Sequence, residues 1–453
     1  MKNKFMLSLI LAIVSAQGIN AQKVYTLQDC RTMALQNNAK LKAARLNIES
    51  AKEQEREAKA KYLPFVSANG TYFHANDYLI KQNVSLSETD QQNIAAFMQK
   101  AGLDASALSS LPTSYTLQAI KHGTVVSLMA MEPIYAGGQI TNGNRLAKLQ
   151  TEVKQLMLQQ SQDDVTRTTE VYYNQLLSLY EKQKTLDAVD KQLASIFNDA
   201  DNAYKAGVSN KNDVLSVQLK QNDAAVSRLK LENGIKLSKM VLAQYIGVAG
   251  ESIDIDRHLS ENTPEPFIYF TDHKSALVNK TESQLLDRNV RANELQTKMK
   301  TGELLPTVAV GVAGVYQDMT NTGKAKAIGL ATVSIPISDW WSNRGIKRQK
   351  IATEIARIDS KDNKELLLIQ MQSAYDDLDN AYKQIQLAKK SIEQSTENLR
   401  LNEDYYKAGT ANMTDLLNAQ TKNQQSRDQY TEAVTLYLNC RTAYFIATGR
   451  SVK

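Results

Sequence analysis

The chain has 453 residues, only seven prolines and a formal charge of +6, with a mean hydropathy of -0.41. Gln, Asn, Lys, Ala and Leu dominate, a composition that favours long helices. No stretch beyond the N-terminal segment approaches the ~18 to 20 apolar residues of a membrane-spanning helix, and the charge is spread out rather than clustered as in a nucleic-acid footprint.

Residues 1–21 read as a secretory signal peptide. Lys2 and Lys4 precede an apolar run from Phe5 to Ala16, and Ile19-Asn20-Ala21 places a small residue at the cleavage point. An anchoring helix is disfavoured because the run is short and Gln17 to Gln22 turns polar. No cysteine follows closely, which disfavours a lipid anchor, so an exported protein is expected. Cys30 and Cys440 are the only cysteines. They read either as two isolated buried thiols or as one bridge that an oxidising compartment would permit.

From residue 22 the chain is written twice. The first repeat, 22–247, opens with a helix from about Leu27 to Lys61 that ends at Leu63-Pro64, where the proline disfavours helix in the residue before it. Strands at about 65–75 and 123–132 follow, then a helical hairpin at about 139–246. After a linker at 248–272, the second repeat (273–453) has a helix from His273 to Glu303, strands at about 307–317 and 327–335, and a helical hairpin at about 343–448. Ala34-Leu35, Asn37, Asn47, Gln54 and Leu63-Pro64 recur 242 positions on as Ala276-Leu277, Asn279, Asn289, Gln296 and Leu305-Pro306. Tyr204-Lys205-Ala206-Gly207, Asp213, Leu215 and Gln218 recur 202 positions on as Tyr406-Lys407-Ala408-Gly409, Asp415, Leu417 and Gln420. Copies this long mark one duplicated supersecondary block rather than a solenoid.

The strands alternate, with Val308, Val310 and Val312 on one face and Thr307, Ala309, Gly311 and Ala313 on the other. Each run has the ~9 to 11 residues of a tilted strand crossing a bilayer. Four strands cannot close a barrel, and open edges in lipid leave backbone groups unsatisfied, so several chains must combine. Physics alone does not choose among two, three or four copies. The first hairpin is longer by 39 residues (Pro64 to Pro133 against Pro306 to Pro336). The excess, 76–122, holds a short amphipathic helix with Ile94, Phe97, Met98 and Leu103 on its apolar side. It reads as a tolerated surface insertion or as a lid.

The long helices begin after Gly137-Gly138 and near Asn343, and each runs some 65 residues to Gly207 or Gly409. That is roughly 100 Å of helix. Heptad series run through Tyr172, Leu179, Leu186 and Leu193, and through Met371, Leu378, Ile385, Ile392, Leu399 and Tyr406. Such spacing argues for coiled-coil packing. At the turns Gly207 and Gly409 can take the left-handed conformation that ends a helix. Asn210 and Asn412 can cap the next helix, with Asp213 and Asp415 three positions on, where a carboxylate suits the N-terminal amides. Capping alone would account for these residue types.

The duplicated block, Leu63-Pro64, Pro133-Ile134-Tyr135-Ala136-Gly137-Gly138 and the two Tyr-Lys-Ala-Gly turns, taken in this order, resemble the TolC-like outer-membrane efflux family. The resemblance covers essentially the whole mature chain. It implies a mainly α fold with a transmembrane β-barrel: a homotrimer whose 12-stranded barrel sits in the outer-membrane lipid of a Gram-negative cell, above an α-barrel tunnel hanging into the periplasm. It implies a passive exit duct for a tripartite efflux or type I secretion system, partnered by a periplasmic adaptor (membrane fusion) protein and, through it, an inner-membrane pump. In that family the two turns form the tunnel tip. Asp213, Asp415, Tyr204 and Tyr406 then become candidate gate residues, and Gly207, Val208, Gly409 and Thr410 the turns that meet the adaptor. A ring of three carboxylates at each aspartate would attract cations. Ala411 and Asn418 depart from members that place an arginine and a second aspartate there, so the resting tip is expected to be held differently, for example through Tyr406. The second copy replaces the Tyr-x-Gly-Gly turn with Ser338-Asp339-Trp340-Trp341. Trp340 and Trp341 fit a membrane-interface belt or ordinary packing at the barrel base.

No catalytic constellation is legible, and no cofactor or nucleic-acid partner is expected. His74, His122, His258 and His273 show no metal-ligand spacing. Asp376, Asp377 and Asp379 lie on a long helix, where a solvated face is the simpler reading. The alternative to a duct is a non-pore periplasmic coiled-coil adaptor or structural protein; an enzyme is a distant third.

Overall fold

A computed structural model of the chain describes residues 23–102, 104, 114–259, 263–319, 323–340 and 344–450. The expected signal peptide, Leu103 and Trp341 lie outside these residues. The chain divides into two compact units: one of residues up to 52, 148–292 and from 353 onward, the other of 53–147 and 293–352. In order, the elements of the first copy are β1 (Lys23–Tyr25), α1 (Leu27–Asn37), α2 (Ala39–Ala60), β2 (Phe65–His74), β3 (Ile80–Ser85), α3 (Glu88–Lys100), β4 (Ser114–Ala119), β5 (His122–Ala136), α4 (Gln139–Lys205) and α5 (Lys211–Tyr245). Then come β6 (Ile253–Ile255), α6 (His273–Asn279), α7 (Thr281–Gly302), β7 (Thr307–Asp318), β8 (Lys324–Ser334), α8 (Ile337–Trp340), α9 (Arg344–Lys407) and α10 (Met413–Ala447). None of the described helices is long and apolar enough to cross a membrane.

The second unit holds an antiparallel sheet in the order β2-β5-β7-β8, so the two hairpins join through β5 and β7 and leave β2 and β8 as edges. A register shift between Pro133 and Tyr135 bends β5 at its helical end, as a bulge does. The polarity of this sheet is inverted relative to a water-soluble one. Val66, Tyr72, Val126, Leu128, Val310, Val312 and Tyr316 share one face and are 40 to 67 % exposed. The opposite face of the central strands carries Ser127, Met129, Gly311, Ala313 and Gln317, all half-buried. The more exposed face is therefore apolar, while the sheltered face mixes small and polar residues with Val125, Met129, Met131 and Val315. The extra length of the first hairpin is ordered differently from a simple loop: β3 and β4 pair as a second, two-stranded sheet beyond β2 and β5, and lead to α3.

A close backbone approach holds the base of this unit. Gly137 has φ of 59°, and a Cβ there would lie 2.1 Å from the Gly302 carbonyl oxygen. The reverse contact is equally tight, since a Cβ at Gly302 would lie 2.2 Å from the Gly137 oxygen. The Tyr-Ala-Gly-Gly turn is thus glycine for packing as well as for backbone conformation.

The first unit is helical apart from the parallel pair β1–β6. A continuous helix was expected over each of Leu27–Lys61 and His273–Glu303, but both are broken, at Asn38 and Lys280, positions again 242 apart. Asn38 (ψ 131°) and Lys280 (ψ 125°) have extended backbone. The Asn38 amide donates to the Tyr245 carbonyl at 3.2 Å, and the Lys280 ammonium donates to the Ile446 carbonyl at 2.8 Å. At Asn38 the break is also capped locally, since the side-chain oxygen accepts from the Lys40 amide at 2.9 Å; Lys280 has no such capping chemistry, and its side chain is drawn to the end of α10. Beside the first break, one apolar cluster gathers Tyr25, Leu41, Leu176 and Leu242 from the first copy with Ile253 and Ile255 from the linker. A second belongs to α9 and α10 around Leu378, Ile385, Val434 and Tyr437. Both heptad series are seated: Leu186, Leu193, Met371, Leu378, Ile385 and Leu399 are buried, and Tyr172, Leu179, Ile392 and Tyr406 half-buried.

Candidate functional site: the paired helical turns

Both turns close by the same hydrogen bonds. Gly207 donates to the Tyr204 carbonyl (3.0 Å) and Val208 to that of Ala203 (3.0 Å); Gly409 donates to Tyr406 (3.0 Å) and Thr410 to Tyr405 (2.8 Å). Gly207 and Gly409 have φ of 75° and 73°, with nothing within 4 Å of a Cβ built on either, so backbone conformation alone selects glycine here. The Asn210 side chain then accepts from the Asp213 amide at 3.0 Å, and Asn412 from Asp415 at 2.9 Å. These side-chain caps satisfy orphan N–H groups at the starts of α5 and α10. Val208 is 80 % exposed, and Gly207, Gly409 and Thr410 are exposed with it.

The two copies part company at the carboxylates. Ser209 donates its hydroxyl to Asp213 at 2.6 Å. The residue 202 positions on is Ala411, and among the described residues the exposed Asp415 carboxylate has no side-chain partner. The tyrosines differ too: Tyr204 is 44 % exposed, whereas Tyr406 packs beside the apolar cluster of Leu193, Val217, Leu399, Met413 and Leu416, drawn from both copies. Burial raises the Tyr406 phenol above its ordinary range, and the Asp213 and Asp199 carboxylates add to this against a hydrogen bond with the Ser209 side chain. The Ser209 hydroxyl, held by Asp213, therefore lies near the Tyr406 phenol, where the second copy's long helix approaches the first copy's turn. Sequence reasoning singled out Tyr406 and Asp213 but missed Ser209. The signal for it was the Ser209/Ala411 mismatch between copies.

Further links join the copies along their length. Gln192 donates to Glu403 at 2.7 Å, Lys182 pairs with Glu432 at 2.6 Å, and Asn174 donates to Asn439 at 2.8 Å. Beside the tip, a cleft of about 100 Å³ is lined by Asp199, Glu403, Tyr406 and Lys407 among others. In the other unit, Trp340 is 50 % exposed and donates its indole N–H to the Leu304 carbonyl at 2.8 Å. Among the described residues no group of three or more His, Cys, Asp or Glu side chains is arranged to hold a metal. Asp376 accepts from Gln372 and Asp379 pairs with Lys383, all on the surface of one long helix. Cys30 and Cys440 are both free thiols.

The family model described as outer membrane efflux protein matches residues 31–248 and 275–449. A search of curated protein sequences finds no match. Among solved structures, the chain is similar to the outer membrane protein VceC of Vibrio cholerae, at 14 % identity and a TM-score of 0.72 over 94 % of this chain and 96 % of that one. It is also similar to the CmeC outer membrane channel of Campylobacter jejuni (13 % identity, TM-score 0.69, 93 % and 85 % covered). The open state of the MtrE outer membrane channel of Neisseria gonorrhoeae matches at 14 % identity and a TM-score of 0.68, with 94 % and 89 % covered.

Proposed function

Because the chain belongs to the outer membrane efflux protein family, we propose that it is the exit duct of a tripartite efflux or type I secretion system. In this reading it passively exports substrates handed over by a periplasmic adaptor and an inner-membrane pump. Membership places the protein in the outer membrane of a Gram-negative cell, among channels and not among enzymes.

The observation that carries the duct reading is the inverted four-stranded sheet. Its exposed apolar face suits lipid, its sheltered face suits a water-filled lumen, and β2 and β8 are free edges. Three copies, each pairing β2 with a neighbour's β8, would give a closed 12-stranded barrel without an exposed edge. Gly207-Val208 and Gly409-Thr410 are the points that meet the adaptor, their outward exposure supporting that role. Asp213, Asp415, Tyr204 and Tyr406 form the periplasmic gate. Because Asp415 lacks the hydroxyl partner that Asp213 has, its charge is the one free to act on passing ions. Trp340 marks the membrane interface at the base of the barrel.

Single-channel recording of the purified protein in planar bilayers tests this. The expected outcome is a stable conductance whose block by divalent cations weakens in Asp415→Ala and changes less in Asp213→Ala. Recovery of the protein as a soluble monomer that never conducts would sink the duct reading. A conducting channel with equal block in both variants would sink only the gate assignment.

A further inference from the structure

Two of the four histidines, 48 residues apart in sequence, meet in the fold. His74 and His122 are direct cross-strand partners on β2 and β5. Their rings stack with centroids 6.3 Å apart and planes 22° from parallel. Both are exposed, and among the described residues neither ring has a hydrogen-bond partner. The nearby charges are engaged elsewhere: Lys81 pairs with Asp77 at 2.5 Å, and the Lys121 ammonium lies 5.8 Å from the centre of the Tyr78 ring.

The backbone beneath the pair is clamped. Ala75 donates to the Lys121 carbonyl at 2.8 Å and Leu79 to that of Ile120 at 3.0 Å. Ile120 has φ of 66°, a left-handed conformation that a β-branched residue adopts only under constraint. This corner separates β2–β5 from β3–β4 and fixes where β5 begins, so the two imidazoles are presented on a rigid ladder rather than on a loop.

We propose that His74 and His122 form a two-imidazole chelate for a divalent late transition-metal ion such as zinc, copper or nickel. Directly opposed strand positions hold Cβ atoms about 4.5–5.5 Å apart, and metal–imidazole bonds are about 2.0–2.1 Å. Side-chain rotation of two exposed rings therefore brings one nitrogen of each onto a single ion without moving the backbone. Imidazole is the ligand these metals prefer. Asp318, which pairs with Thr124 on the neighbouring strand, stands on the same face one step diagonal from His122 and supplies compensating charge. Water completes the coordination. The pair ends the same face that carries Tyr72 and Val126, so under the duct reading it stands at the rim of the lipid-facing surface, where the strands stop and water reaches it.

The test is titration of zinc or copper ions into metal-stripped, full-length protein in detergent, purified without a polyhistidine tag. Saturable binding of one ion per chain is expected, with two-nitrogen hyperfine structure in the copper electron paramagnetic resonance spectrum. His74→Asn and His122→Asn should each weaken binding on the order of tenfold or more, since even outer-shell losses reach that scale, while His258→Asn and His273→Asn leave it intact. Circular dichroism and elution volume matching the parent protein identify variants that are folded. Absence of a saturable site, or a site that survives His74→Asn in folded protein, overturns the proposal.

Discussion

At the scale of single residues, conformation and charge separate cleanly. Gly207 and Gly409 have open space around them, so replacing either with Ala adds no clash and penalises only the left-handed backbone. A loss of about 1 kcal/mol is expected for each, read as a lowered thermal midpoint with normal expression. Gly137→Ala should be far worse, because the added methyl would meet the Gly302 carbonyl. Asp254 shows the opposite balance, of charge. Its burial pushes the carboxyl upward, but the Tyr180 and Arg257 side chains, the Ile255 amide and the Lys239 charge together bring it below the ordinary carboxylate range. A depressed carboxyl contributes stability above the unfolded value of about 3.9 and loses it as pH falls through the folded value. Asp254→Asn should therefore lower stability at pH 7 and flatten the acid limb of a melting-temperature profile below about pH 4. An unchanged acid limb would show that Asp254 is not part of that titration.

At the scale of elements, polar contacts join the two copies alongside the apolar cluster they share. Arg31 on α1 pairs with Glu170 on α4 at 2.7 Å, both side chains 8 % exposed or less. Thr442 on α10 donates its hydroxyl to the same carboxylate. One carboxylate thus joins the first copy's opening helix and long helix to the second copy's return helix. Glu170→Ala, leaving Arg31 buried and unpaired, should cost about 3–5 kcal/mol, whereas the pair Arg31→Met with Glu170→Leu should recover much of it. Chemical denaturation across the full cycle measures the coupling. The broken helices belong to the same scale: Asn38 and Lys280 each spend a side-chain hydrogen bond on the end of a return helix. Those bonds offset the helical turn that the break forgoes.

At the scale of the whole molecule, the extended first hairpin is separable from the membrane sheet. Among the described residues β3 and β4 pair only with one another, so replacing residues 76–121 by a short turn leaves every ladder of the β2-β5-β7-β8 sheet in place. The shortened protein should still insert and conduct, since the removed arm contributes no strand to the barrel. Loss of conductance with normal insertion would instead assign the arm to the pore, the lid role that the sequence left open.

The duplicated arrangement of long helices and bilayer-length strands was legible in the sequence because duplication and periodicity are linear properties, and the outer-membrane location came with the family resemblance those elements carry. The offsets of 242 and 202, the alternating strands and the heptad series can all be counted along the chain. The turns were legible as well, because a left-handed glycine followed by an asparagine cap is local chemistry. What needed tertiary structure was every relation between distant residues. The side chains at the helix breaks, Asn38 and Lys280, reach carbonyls at residues 245 and 446, Tyr406 of the second copy comes near Ser209 of the first, and His74 meets His122 only through strand register. Composition and spacing encode which elements form. Which side chains then share a proton, a charge or a ring is set by three-dimensional contact between residues too far apart in the chain for any local pattern to carry.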